Sequence, residues 1–598
     1  MNQLQKKVSK AWMLIALSVV FLVDIANAQT AMINSQSRHL TSLNGKWNVL
    51  VDPGNIGDWK KFWIEPKAQK KTDFFEYSFV GAPEMNVPGD FNSQLCELTF
   101  FEGSVWYKKQ FNVSKKKDSR LFLHFGAVNY IAEVYLNEEK LGSHEGGFTP
   151  FQFEITNQVK EGDNTIIVKV DNRRLENGLP SYGYDWLNYG GITRDVNIIE
   201  THNTYIDDYF IQLKKGSLNT VLGWIQLKGA QSEQKIKVKI PELNVVYKTK
   251  TNNSGFVKLE FSSRFKLWSP ESPKLYKVII ESGTDTIVDE IGFRSIETKG
   301  SEVLLNKKPI FIKAVNIHEE NPMKKSRAHS LEDAKLFLNS AKELGCNMVR
   351  LAHYPHNENM IKEAEKMGLM LWSELPIYQH IQFSDPLVPK KMETMLNEMI
   401  GRDKNRCGVV VWSLSNETYS GTPNRNEALI DLAKKCKAID STRLVVHVIN
   451  TQGYSNNSFN VVDSLYNYSD LIAINEYIGW YIPWQGKPSE VKWKVDFPNK
   501  PVFISEFGGE ALFGSKGPVD EAAYWTEEYQ AQIYKNQIEM FKTIPNLSGV
   551  CPWILYDYKS LGRMHQVYQK GYNRKGLISE NGEKKKAWYI MNEYFNQK

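Results

Sequence analysis

Three patterns of apolar and polar positions succeed one another along the chain. From about residue 38 to 200 the apolar residues come in short alternating runs: Trp47, Val105-Trp106-Tyr107, Leu121 to Phe125 and Thr165 to Val170, separated by Gly, Asn and Asp. Alternation with a period of two is the mark of strands with one buried face. Ala132 to Leu141 reads as a hairpin turning near Asn137-Glu138. The stretch predicts a β-sandwich of jelly-roll type. Asn172-Arg173-Arg174 then leads into a loop rich in Tyr, Gly and Asn, from Leu179 to Gly191. From about 201 to 296 the runs Ile236 to Ile240, Phe256 to Phe261 and Tyr276 to Ile280 alternate again, and predict a smaller immunoglobulin-like sandwich.

At about residue 297 the pattern changes. Apolar runs now alternate with segments of helical period, which signals a parallel sheet. Eight strand candidates follow: 310–317, 348–352, 369–374, 409–414, 444–449, 471–476, 502–506 and 549–555. Helical segments at 331–344, 357–367, 389–401, 426–439 and 524–543 lie between them. This order predicts a (β/α)8 TIM barrel over 297–598, after a jelly roll over 29–200 and an immunoglobulin-like sandwich over 201–296.

Length agrees, since 598 residues exceed one core and call for about three to four domains. The first 28 residues are read apart. Lys6, Lys7 and Lys10 precede an apolar run from Ala11 to Val23, too short to span a bilayer, and Ala26-Asn27-Ala28 fits a signal-peptidase site. They predict a secretory signal cut after Ala28, and a periplasmic or secreted mature chain. Without residues 1–28, which carry three Lys and one Asp, the formal charge falls from +6 to +4. That is nearly neutral, so lysine clusters such as 115–117 and 584–586 read as solvated faces and no nucleic-acid partner is expected. The five Cys (Cys96, Cys346, Cys407, Cys436, Cys551) are scattered, and read as buried thiols with neither a disulfide framework nor a metal site.

Chemistry concentrates at two strand ends. Val409 to Glu417 is a run of β-branched residues and Trp that ends on Asn416-Glu417; Pro501 to Gly508 repeats the form and presents Glu506. Carboxylates at the C-terminal ends of buried parallel strands sit where barrel enzymes act. Two at one mouth are what glycoside hydrolysis requires, one to protonate the leaving oxygen and one to attack the anomeric carbon or direct water.

Ser415-Asn416-Glu417 and Ile504-Ser505-Glu506-Phe507-Gly508 resemble the two catalytic motifs of glycoside hydrolase family 2, and the three-part order resembles that family over nearly the whole mature chain. The resemblance implies retention through a covalent glycosyl-enzyme, with Glu417 as acid/base and Glu506 as nucleophile. It implies Arg350 beside the nucleophile and His318, His353, Asn416, Tyr477, Tyr481 and Trp553 around the sugar, Asn416 on its 2-hydroxyl. No metal or organic cofactor is implied.

Within the family, Asn573-Arg574-Lys575 resembles the motif by which β-glucuronidases hold the uronic C6 carboxylate, through an amide and an ammonium that a neutral hexose does not need. Asp185-Trp186-Leu187-Asn188-Tyr189 resembles the loop that carries a first-domain Asp into the barrel. An Arg often found shortly before Asn-x-Lys is replaced here by Gln569. The short connection after the third strand leaves the site open, as suits the end of a uronic-acid-containing oligosaccharide in polysaccharide breakdown. The expectation is therefore an exo-acting β-glucuronidase. A β-galacturonidase or β-galactosidase of the same family and, from another class, a non-catalytic carbohydrate-binding protein are the alternatives. No membrane contact is expected after signal cleavage, and a homo-oligomer is compatible with the sequence.

Overall fold

The computed structural model describes residues 28–597, apart from 67, 68, 71, 74, 231, 284, 451, 452 and 519–522; the predicted signal lies outside the described residues but for Ala28. Its first layer is a jelly roll of two antiparallel sheets. A six-stranded sheet is centred on Ser104–Val113 and Gly162–Asp171, and a five-stranded sheet on Ser119–Phe125 and Val196–His202. Alternate residues of both face inward, and Trp47, Tyr107, Leu123, Phe125, Val134 and Val168 share one core. The predicted hairpin forms between Ile131–Leu136 and Glu139–Glu145. A second sandwich of three and four strands follows, from Tyr205–Leu213 to Thr286–Ile291.

The third part is a closed barrel of eight parallel strands: Ile312–Ile317, Met348–Leu351, Met370–Glu374, Val409–Asn416, Leu444–Asn450, Ile472–Asn475, Val502–Glu506 and Leu547–Val550. The fourth is buried at every residue, which explains a continuous apolar run rather than an alternating one. Helix Leu331–Leu344 falls where its period places it. Ser330 and Asp333 close a reciprocal cap at its start, and Gly345 ends it at φ 96°. The eighth strand stops earlier than its apolar run, because Pro552 has no N–H to continue the ladder, so Trp553 follows the strand instead of ending it.

Three other features depart from the expectations. Helix Lys586–Asn596 was not foreseen; it buries Trp588, Met591 and Phe595 against the barrel. The lysine cluster before it is not uniformly solvated, since Lys585 is fully buried with its Nζ 2.7 Å from Asp557 Oδ1. A buried carboxylate needs such a partner, which a charge run cannot reveal. Cys96 is exposed, in a short turn between strands, whereas the other four thiols are buried.

The domains meet through buried ion pairs. Arg194 of the jelly roll reaches Glu319, after the first barrel strand, at 3.2 Å, and donates to Phe148 O and Pro355 O. Arg327 also pairs with Glu319, at 2.7 Å. Arg294, leaving the second sandwich, donates to the carbonyls of Cys407 and Val409, at the start of the strand that leads to Glu417. Burial alone would raise the Glu319 carboxyl, but the two guanidiniums hold it at about 2. A depressed carboxylate stabilises the fold above its ordinary 4.5 and loses that contribution as pH falls toward 2. Glu319→Gln leaves two buried cations uncompensated. We expect a loss on the order of 3 kcal/mol near neutral pH and a smaller fall in melting temperature between pH 4.5 and 2 than in the wild type. Calorimetry across that range checks both.

Candidate active site

At the C-terminal mouth of the barrel lies a cavity of about 420 Å³, walled by Glu417, Glu506, His318, His353, Tyr477, Tyr481, Trp553, Asn573, Lys575 and, from the jelly roll, Asp185. Ten of the twelve residues expected from the sequence therefore line one space. The other two, Arg350 and Asn416, are 0% and 1% exposed and lie directly behind it.

Glu506 is held at both oxygens. Arg350 Nη1 donates to Oε1 at 2.7 Å, and the Tyr477 hydroxyl donates to Oε2 at 2.7 Å. Arg350 spends its remaining donors on Glu374, Asn316 and Asn416. Glu374 ends the third strand and was not anticipated as part of the site. It also receives Trp372 Nε1, Ser413 Oγ and, at 2.7 Å, His353 Nδ1. Burial works against its charge, but Arg350 and His353 hold its carboxyl at about 2. His353 Nε2 lies 3.8 Å from Glu506.

Glu417 is placed differently. Its neighbours are neutral amides: Asn475 Nδ2 donates to Oε1 and Gln379 Nε2 to Oε2, each at 2.9 Å. Burial first, and the negative charge of Glu506 second, raise its carboxyl above the ordinary value. Asn416 joins the two carboxylates, because its Oδ1 accepts from both Arg350 and Asn475. Its Nδ2 has no hydrogen-bond partner among the described residues, which leaves a donor for a substrate hydroxyl. Trp553 stacks on His353 with ring centroids 4.8 Å apart. His318 accepts or donates at Tyr354 and stays neutral, since burial holds its pKa well below the ordinary value.

The second cluster sits across the cavity. Asp185 does not point at open space. Arg563 Nη2 lies 2.5 Å from its Oδ2, Asn573 Nδ2 is 3.1 Å from the same oxygen, and Ser560 donates to Oδ1. Arg563 was missed because it stands six residues before Gln569, where the family resemblance places no Arg. Gln569 instead binds Glu510 at 2.9 Å. Lys575 is 1% exposed, with its Nζ 2.7 Å from the Tyr481 hydroxyl and 3.5 Å from Glu510. Its near partner is thus neutral. Arg563 is committed to Asp185, and Lys575 is the cation with donors to spare.

Asparagine side chains fix the loop that delivers Asp185. Asn129 donates to Tyr189 O, while Asn172 and Asn188 bind each other's carbonyls, at 3.0 and 2.6 Å. Trp186, beside Asp185, packs edge-on to Tyr378, with centroids 5.2 Å apart.

Family models match the chain in three consecutive pieces: "Glycosyl hydrolases family 2, sugar binding domain" over residues 40–202, "Glycosyl hydrolases family 2" over 204–294 and "Glycosyl hydrolases family 2, TIM barrel domain" over 296–597. The chain is similar to the β-glucuronidase of Streptococcus agalactiae, at 27% identity over 86% of this chain and 93% of that relative. It is similar to that of Rattus norvegicus, at 27% identity over 94% and 91%. Among solved structures, the β-glucuronidase from Ruminococcus gnavus in complex with D-glucaro-d-lactam superposes with a TM-score of 0.82. It is 23% identical, over 95% of this chain and 100% of that one, and shares the fold.

Glu476, next to Tyr477, supplies a prediction. It is 0% exposed, and its nearest donors are the Ile478 amide and Gln537. Burial pushes its carboxyl up to about 8. A raised carboxyl supports the fold fully below its ordinary 4.5 and ceases to as pH rises through about 8. The wild type should lose melting temperature between pH 5 and 8, and Glu476→Gln should lose less, as thermal denaturation at the two pH values will read.

Proposed function

The chain belongs to glycoside hydrolase family 2, and from that premise we propose that it is a retaining exo-β-glucuronidase, releasing terminal β-linked glucuronic acid from oligosaccharides outside the cytoplasm. One observation carries the uronate reading. The buried ammonium of Lys575 opens on the same cavity as Glu417 and Glu506, with a neutral hydroxyl as its near partner. A substrate carboxylate gives that ammonium a second anionic acceptor beside Glu510, 3.5 Å away, which a neutral hexose cannot. Export rests on the amino-terminal pattern alone.

In the first step a Glu506 oxygen attacks the anomeric carbon. The bond to the leaving oxygen breaks, and Glu417 delivers its proton there. Tyr477 and Arg350 keep both Glu506 oxygens oriented. Asn416 Nδ2, unpartnered among the described residues, supplies the donor for the 2-hydroxyl. Once Glu506 is esterified its charge is gone, and with it one of the two causes that raise Glu417. Glu417, which gave up its proton in the first step, then stays ionised more readily and is free to act as the base that the second step demands. It takes a proton from water, the water oxygen bonds to the anomeric carbon, and the Glu506 carboxylate departs.

Hydrolysis of matched p-nitrophenyl β-glycosides (glucuronide, galacturonide, galactoside, glucoside, mannoside) tests the reading. The glucuronide should be preferred, and Lys575→Ala should cut its kcat/KM by about 100-fold while changing the glucoside much less. A galactoside preferred by wild type and Lys575→Ala alike would leave the two Glu roles standing and remove the uronate.

The pH profile tests the roles themselves. Because Glu417 must enter the reaction protonated, kcat/KM should fall on the alkaline side, through a pKa above the ordinary 4.5. Glu417→Ala should abolish that limb, and azide, which needs no general base, should restore turnover of the p-nitrophenyl substrate. Glu506→Gln should stop turnover of every glycoside.

A further inference from the structure

The leaving group must depart on the Glu417 side of the cavity, because its oxygen receives that proton. Two ring side chains flank the acid there, and neither belongs to the sugar pocket. Gln379, which binds Glu417 Oε2, is followed by His380, and Tyr419 stands two residues after Glu417. Their rings pair at 4.6 Å between centroids, with an interplanar angle of 55°. Both are exposed, Tyr419 at 42%. Burial and then the charge of Glu417 raise the Tyr419 hydroxyl, which agrees with their proximity.

The pair is held in place from both sides. The Gln379 amide donates to Asn416 O at 2.9 Å, so the third connection is hydrogen-bonded to the strand end that carries the acid. On the outer side, a Cβ at Gly183 would lie 3.7 Å from His380 Cδ2, so the jelly-roll loop rests against that ring. The same loop is tied to the third connection by Asn177, which donates to Asp385 at 2.8 Å and accepts from Lys391.

Two paired rings thus stand exposed on an anchored rim next to Glu417. We propose that His380 and Tyr419 form the leaving-group subsite, a ring platform that takes the face of the next pyranose in a glycan chain. The inference rests on the glucuronidase reading and specifies its substrate: a sugar, rather than an aryl group, on the leaving side. A pyranose fits because its apolar C–H face packs on an aromatic ring while its edge hydroxyls stay in water, and this rim is open to solvent.

The experiment compares three substrates of the same enzyme. β-Glucuronyl fluoride has a leaving group too small to reach the rim, p-nitrophenyl β-glucuronide has an aryl leaving group, and a panel of β-glucuronyl disaccharides of different linkage supplies the one best hydrolysed by wild type. For Tyr419→Ala and His380→Ala, the ratio of disaccharide to fluoride kcat/KM should fall about tenfold, through KM more than kcat, and Tyr419→Phe should restore it. Equal losses on fluoride and disaccharide would overturn the subsite. A larger loss on the p-nitrophenyl substrate than on the disaccharide would overturn the pyranose. Wild type inert toward all β-glucuronides would overturn the glucuronidase reading itself, and that result is visible before any variant is made. The variants replace exposed side chains, so a folding defect is not expected, and matched melting temperatures verify it.

Discussion

The site depends on one buried cation. Arg350 is 0% exposed, and its donors reach two carboxylates, Glu374 and Glu506, with Asn316 and Asn416 taking the rest. A guanidinium away from water is tolerable only when its charge is matched and its N–H groups are satisfied. Here one cation faces two anions, so the balance leans negative. That surplus is useful. Glu374 is enclosed by Trp372, Ser413 and His353 and keeps its charge, Glu506 faces the cavity, and Glu417 lies within reach of Glu506's field. Glu374 and Glu417, at or just past the ends of adjacent strands, are thereby moved in opposite directions: cationic partners lower the first, and burial with the charge of Glu506 raises the second.

The same logic explains which acidic strand ends can act, and why residue order alone could not tell. Glu374, Glu417, Glu476 and Glu506 all stand at or just past the ends of barrel strands. Glu374 is spent on Arg350. Glu476 is deeply buried among amides and held neutral up to about 8. Only Glu417 and Glu506 of the four line the cavity. The apolar runs made the eight strands legible, because strands buried on both faces leave an unmistakable mark. The Asn-Glu and Ser-Glu-Phe-Gly endings made the two actors legible through the family resemblance. Glu374 ends a strand by the same rule and could have been flagged. Nothing local marks Gln379, Asn475 or Arg563, whose roles come from partners 38, 58 and 378 residues away.

Charge matching governs the far side of the cavity as well. Arg563 and Lys575 face Asp185 and Glu510, and the four are neutral together. Arg563 meets Asp185 through several contacts, and Glu510 is bound by Gln569 and the Arg574 amide. Each carboxylate therefore has strong partners apart from Lys575, which lies 3.5 Å from Glu510. A substrate carboxylate arriving at Lys575 need not break the Asp185–Arg563 pair. An ammonium with three rotatable donors suits that task, because it can keep Tyr481 and still accept a newcomer, where a planar fork already engaged could not.

Glu417 itself is held in a costly conformation. Its φ is 51°, in the left-handed region, and Gln379, which binds its side chain, has φ 45°. Left-handed backbone at a non-glycine residue costs on the order of 1–3 kcal/mol. It persists because its surroundings over-determine it. The Glu417 amide donates to Val448 O on the next strand, and Asn475 and Gln379 occupy both carboxyl oxygens. The ladder between the fourth and fifth strands shifts register between Ser413 and Ser415, just before the turn. The bulge and the left-handed residue together turn the strand end inward, so that the carboxyl meets the cavity instead of continuing the alternation of the strand. A residue free of strain at this position would continue the strand and direct its side chain by the pleat alone. The fold accepts the local cost because two strained residues brace each other, and the proposed proton donor is thereby fixed before any substrate arrives.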